Sequence, residues 1–151
     1  DIRTGLRQVR LTARFELITT DPVPTVIDVG HNPQAAEVLL TNVVRSRRPG
    51  EHTIAVCGML ADKDIAGALA ALRGKIDVWL FAGLDVPRGA SVEMLAGVVA
   101  QANLGGNVER FASPLAAFAH AVKHAGENDR ILVFGSFYTV AAVLREIKNR
   151  P

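Results

Sequence analysis

Thr25-Val26-Ile27-Asp28-Val29-Gly30-His31-Asn32-Pro33 is a β-branched apolar run that ends in a carboxylate, a glycine, an imidazole, an amide and a proline. Residues 25–29 read as a mostly buried strand, since branched side chains fit a pleated surface. Gly30 lets the backbone turn, Asn32 suits a helix N-cap, and Pro33 suits the first helical position. A helix follows to about Arg45, its apolar side supplied by Ala36, Val38, Leu39, Leu40 and Val43. Arg47-Arg48-Pro49-Gly50 closes it.

The same unit recurs downstream. Strands are expected over 53–57, 77–81, 108–111 and 131–134. Asp62 is expected to cap a helix to about Arg73, and Ser91 one to about Asn103. Ser113-Pro114 opens a helix to about Ala125, and a last helix runs from about Tyr138 to Lys148. Upstream, residues 9–17 keep period two, with Val9, Leu11, Ala13, Phe15 and Leu17 on one side and Arg10, Thr12, Arg14 and Glu16 on the other. Asp21-Pro22-Val23-Pro24 is a turn. Strand–loop–helix units of this length imply right-handed crossovers between parallel neighbours. The expected fold is α/β: a Rossmann-like, open, mostly parallel sheet with helices on both faces. Ligands of such sheets bind outside the carboxyl ends of the strands. That rule selects Gly30-His31-Asn32, the 58–63 loop, the 83–88 loop and Gly135-Ser136.

Composition narrows the classes. The 151 residues suffice for one domain with a core, at 49% hydrophobic and 21% charged. Aromatics at 5% argue against a base-stacking nucleic-acid binder. A net charge of +2 is no electrostatic footprint, so no nucleic-acid partner is expected. Cys57 is the only cysteine, which excludes an internal disulfide and a Cys-built zinc cage. No run reaches the roughly 20 apolar residues of a membrane span. No signal pattern is visible either, and a cytoplasmic placement is expected. The chain opens on Asp1 rather than Met and is expected to be a piece of a longer protein.

Three segments could carry chemistry. Asp28 can accept from two ribose hydroxyls, and the helix start beyond it favours phosphate or carboxylate. The alternative is that Asp28 and Asn32 only close the turn. Lys63 could reach a phosphate, but Asp62 and Asp64 fit helix capping and the 58–64 loop reads as structural. Gly135-Ser136 offers an anion cradle or a plain N-cap, and it lacks the second glycine of a nucleophile elbow. His120 and His124 stand four apart on one helix face without an intervening HExxH glutamate, so no metal site is expected. Neither GxxxxGK[ST] nor GxGxxG occurs, which leaves the chain without a complete phosphate cradle.

Asp28-Val29-Gly30-His31-Asn32-Pro33 resembles the D-x-A-H-N-P motif of the Mur ligase superfamily. Leu11-Thr12-Ala13-Arg14-Phe15, Gly58-Met59-Leu60-Ala61-Asp62-Lys63-Asp64 and Gly135-Ser136-Phe137-Tyr138-Thr139-Val140 are similar to segments of its folylpolyglutamate synthase/dihydrofolate synthase branch. Pro87-Arg88-Gly89-Ala90 is similar to a further loop of that branch. The resemblance implies that residues 1–151 are the C-terminal (glutamate ligase) domain of an ATP-dependent ligase of folate biosynthesis and one-carbon metabolism. Its partner would be its own N-terminal P-loop domain, which is not in this chain and would hold most of the Mg²⁺. The carboxylate of dihydropteroate or a folate would be phosphorylated by ATP, and L-glutamate would attack the acyl phosphate. By matched motif, Arg14, Asp28 and Asn32 would bind ATP, His31 would lie near the reacting phosphates as the catalytic residue, and Ser136 would help bind glutamate. The isolated domain would be inactive.

Gly30 stands where alanine is usual, a change expected to be harmless. Ala13 stands where glycine is usual, which could shift how Arg14 is presented. Tyr138 stands where histidine is common in one subgroup. Two alternatives remain: a non-catalytic nucleotide-binding module, and the C-terminal domain of a cell-wall Mur ligase. The 58–64 and 135–140 segments favour the folate branch.

Overall fold

A computed structural model describes residues 14–150. The strands are β1 (Glu16–Thr19), β2 (Thr25–Asp28), β3 (His52–Cys57), β4 (Val78–Ala82), β5 (Asn107–Phe111) and β6 (Asp129–Phe134). The helices are α1 (Pro33–Ser46), α2 (Ile65–Ala71), α3 (Val92–Ala102), α4 (Pro114–His124) and α5 (Phe137–Lys148). One six-stranded sheet holds them in the order β1-β2-β6-β3-β4-β5. All neighbours are parallel except β1, which runs antiparallel to β2 at the edge.

Alternation along the strands divides the core into two layers. On one face Ala55, Cys57, Trp79, Phe81, Leu132 and Phe134 meet Leu39 and Val43 of α1, Leu69 of α2 and Leu95 of α3. On the other, Ile54, Val56, Leu80, Ile131 and Val133 meet Phe118 and Ala121 of α4 and Val140 and Leu144 of α5. Each successive residue changes face because a strand's side-chain period is two, so both faces need a helix cover. The Trp79 ring stacks on Phe81 at 5.3 Å between centroids.

The helix starts follow their caps. Asn32 Oδ1 accepts from Ala35 N–H, Ser91 Oγ from Met94 N–H, Ser113 Oγ from Ala116 N–H and Ser136 Oγ from Thr139 N–H. The expected α2 cap is corrected. Asp64, not Asp62, accepts the Gly67 N–H, and the helix ends at Ala71 rather than near Arg73. Asp62 instead pairs with Arg88 Nη1 at 2.8 Å, which ties the 58–64 loop to the loop after β4.

The expected 9–17 strand also changes. Residues 1–13, including Val9, Leu11 and Ala13, lie outside the described residues. Arg14 and Phe15 form a bend, Phe15 has φ +52°, and the strand begins only at Glu16. Leu17, expected on the apolar side, is 56% exposed. Leu17 belongs to neither of the two core layers.

The sheet's amino end is pinned by a buried ion pair. Arg130 Nε lies 3.4 Å from Glu51 Oε1, and the guanidinium donates to Thr53 Oγ1, Ser46 Oγ and the Val43 carbonyl. Arg130 thereby closes the carboxyl end of α1 against β3 and β6. Arg48, just past the end of α1, donates to Glu51 Oε2 at 2.9 Å.

Candidate nucleotide site at the sheet's switch point

The chain leaves β2 through α1, passes over the place of β6, and enters β3; β6 later returns between them. That reversal opens a crevice at the carboxyl ends of β2, β6 and β3, the place where open α/β sheets bind ligands. A cavity of about 280 Å³ lies there, lined by Arg14, Val29, His31, Leu60, Lys63, Gly135, Ser136, Phe137 and Tyr138. Of the five site residues expected from sequence, Arg14, His31 and Ser136 share this wall. Asp28 lies beside it, reached through Arg14. Asn32 is not on the lining, and its side-chain oxygen is engaged in capping α1.

Asp28 ends β2 and is 2% exposed. Its Oδ1 accepts from Gly30 N–H at 2.7 Å and its Oδ2 from Phe15 N–H at 3.1 Å. The Arg14 guanidinium stands 3.9 Å from Oδ1. Burial raises the Asp28 carboxyl above the ordinary carboxylate range; the Gly30 N–H, the Arg14 charge and the Phe15 N–H oppose that rise. Asp28 therefore does close the turn, and each oxygen still has a lone pair beyond the N–H it accepts. Gly30 matters to this closure. A Cβ there would stand 2.9 Å from both Ala35 Cβ and Asp28 Oδ1, so alanine at this place requires the strand end and α1 to move apart.

His31 Nδ1 is 3.2 Å from the Val29 carbonyl. A carbonyl only accepts, so this contact places a proton on Nδ1 and leaves Nε2 available to a ligand. Ser136 caps α5, is 3% exposed, and its Oγ lies 3.1 Å from Thr139 Oγ1. Thr139 Oγ1 in turn donates to the Gly58 carbonyl. Gly135 crosses the end of β3 so closely that a Cβ would sit 2.5 Å from the Gly58 oxygen, and its φ is +116°. The β6–α5 turn and the β3–α2 loop are thus stitched into one floor. The 58–63 loop selected from sequence supplies Leu60 and Lys63 to this wall, whereas Phe137 and Tyr138 lie just beyond the Gly135-Ser136 pair that was selected. Their positions follow from that crossing, which no local signal reports. Tyr138, at the start of α5, is 45% exposed.

A second cavity of about 570 Å³ lies on the α4 face and includes His52, His120 and His124. His120 Nε2 is 3.2 Å from Glu109 Oε2, and His52 Nδ1 is 3.5 Å from Asp129 Oδ1. Among the described residues no three His, Cys, Asp or Glu side chains converge to hold a metal ion. Cys57 is fully buried in the core, and burial pushes its thiol up, away from thiolate chemistry. No helix of the described residues is long and apolar enough to cross a membrane.

Residues 13–137 match the family described as Mur ligase, glutamate ligase domain. The dihydrofolate synthase/folylpolyglutamate synthase of Escherichia coli (strain K12) is 40% identical over 149 residues, which is 99% of this chain and 33% of that protein. A structure of E. coli FolC in complex with DHPP and ADP superposes with a TM-score of 0.80 at 39% identity, covering 90% of this chain and 31% of that one. A bifunctional folylpolyglutamate synthase/dihydrofolate synthase with Mn, AMPPNP and L-glutamate bound superposes with a TM-score of 0.76 at 37% identity, over 90% and 31%. The chain thus spans about a third of the length of the relatives it matches.

Proposed function

The chain belongs to the Mur ligase family as its glutamate ligase domain, and from that premise we propose that it is the C-terminal domain of an ATP-dependent ligase joining L-glutamate to dihydropteroate or a folate. The observation that carries this reading is the convergence of Arg14, His31 and Ser136 on one cavity at the switch point, with Asp28 at its margin. Relatives with ADP, or with AMPPNP and L-glutamate, share the fold and over a third of the sequence.

In this reading Asp28 holds the ribose through the lone pairs that Gly30 and Phe15 leave open, and Arg14 approaches the nucleotide. His31 faces the reacting phosphates through Nε2. Ser136, at the positive end of α5, binds a glutamate carboxylate. ATP phosphorylates the folate carboxylate; the glutamate amine then displaces phosphate from the acyl phosphate, forming the amide and releasing a proton. The products are ADP, phosphate and the glutamylated folate. Such an intermediate is hydrolysed if exposed, so a second domain closing over the cavity excludes water and completes the site. That domain is the protein's own N-terminal domain. In this reading it would carry the phosphate loop and hold most of the Mg²⁺. The same reading places the protein in the cytoplasm.

The test is Asp28→Ala in the full-length protein. ATP binding is expected to weaken by about 1–3 kcal/mol through loss of charge-assisted hydrogen bonds. An unchanged ATP affinity removes the ribose assignment.

A further inference from the structure

Phe15 is the residue through which the first strand reaches the site. It has φ +52°, a left-handed backbone that is unusual for a bulky side chain. Such a conformation persists only where the surroundings hold it. Two contacts do so here. The Phe15 ring packs against the core layer that includes Leu39, Trp79 and Phe134. Its backbone N–H donates to Asp28 Oδ2 at 3.1 Å across 13 residues of sequence. In a regular strand Arg14 and Glu16 would share one face. The bend at Phe15 breaks that alternation, and Arg14 lines the cavity while β1 continues from Glu16 along the sheet edge.

We propose that Phe15 is the positioning residue of the nucleotide site: its anchored ring and left-handed backbone aim its N–H at Asp28 Oδ2 and turn Arg14 over the cavity. The inference rests on the nucleotide reading given above. It assigns to an apolar side chain the orientation of both groups that would meet the nucleotide. Phe15 touches no substrate in this scheme; it acts through Asp28 and Arg14.

The experiment compares Phe15→Val, Phe15→Leu and Asp28→Ala in the full-length protein, measuring KM for ATP and for glutamate, kcat and thermal midpoint. Branching at Cβ makes valine a poor occupant of the left-handed region, whereas leucine keeps an unbranched Cβ and an apolar anchor. Phe15→Val is expected to raise the ATP KM about tenfold, the scale of one lost charge-assisted hydrogen bond. The glutamate KM should change little, and Phe15→Leu should restore most of the ATP KM. The acid limb of the ATP KM profile should also move to higher pH in Phe15→Val, because Asp28 loses a donor that favours its charged form.

If Phe15 merely fills the core, both variants lower the midpoint and leave the ATP KM and its pH profile unchanged, which overturns the proposal. Should Phe15→Val fail to fold, Phe15→Gly takes its place: it accepts the backbone angle but has no ring to anchor the N–H. Its ATP KM should rise, and an unchanged value overturns the proposal. Asp28→Ala separates the two levels. A raised ATP KM there with unaffected Phe15 variants refutes the positioning role alone. An unaffected Asp28→Ala refutes the nucleotide reading and this inference with it.

Discussion

At the residue scale Asp28 is a structural carboxylate to which the proposed function adds a chemical role. Its two oxygens close the exit of β2 by accepting from Gly30 and Phe15, and its burial raises its carboxyl pKa. The sign of the linkage follows. A carboxyl whose folded pKa lies above its unfolded one binds its proton more tightly in the native state, so ionising it opposes folding. That penalty is complete above the folded pKa and is relieved as pH falls through it towards the ordinary carboxylate range. Asp28→Asn cannot titrate and can offer only one oxygen to the two N–H donors. The unfolding free energy of wild type minus Asp28→Asn, from urea melts, is therefore expected to grow as pH is lowered from 7 towards 4. A flat difference would show that Asp28 is not held at a raised pKa. Asp28 and His31 were legible as residues of interest because the motif is local. The Phe15 contact was not, since period-two reading assigns an extended backbone where the chain bends.

At the element scale the caps were the most readable feature. Asn32, Ser91, Ser113 and Ser136 each accept from the N–H three residues on, as their positions ahead of apolar helical runs implied. The failure at α2 is instructive. Asp62 and Asp64 are equally good caps by type, and the choice fell to where the loop turns and to Arg88, which takes Asp62. Arg130 and Glu51 show the same limit more strongly. They are 79 apart in sequence, yet both are almost fully buried and paired. Burial lowers the Arg130 pKa while Glu51 opposes that shift. Glu51→Gln would leave the buried guanidinium hydrogen-bonded to neutral groups, with Asp77 as its remaining opposite charge, and is expected to cost about 3 kcal/mol in denaturant unfolding. Replacing both partners, as Arg130→Met with Glu51→Leu, should recover much of that loss. A single variant with wild-type stability would mean that the pair contributes nothing.

At the scale of the whole molecule, two packed layers on one twisted sheet present the ends of β2, β6 and β3 as a single open wall. An open wall binds and orients, but it does not enclose a water-sensitive intermediate. The isolated 151-residue chain is accordingly expected to show no ATP-dependent glutamylation of dihydropteroate or folate. Turnover by this chain alone, read as ADP and glutamylated product, would refute the two-domain scheme. The fold class, the strand and helix sequence and most helix starts were determined by the amino-acid sequence by itself, because they follow from period, branching and capping within a few residues. Tertiary structure alone decided the placement of β6 between β2 and β3, the crossing of Gly135 over Gly58, the Asp62–Arg88 and Glu51–Arg130 pairs, and the bend that presents Arg14. Each of these depends on contacts between distant segments, whose closeness is set by how the two faces of the sheet bury their apolar residues and not by any local preference of the chain.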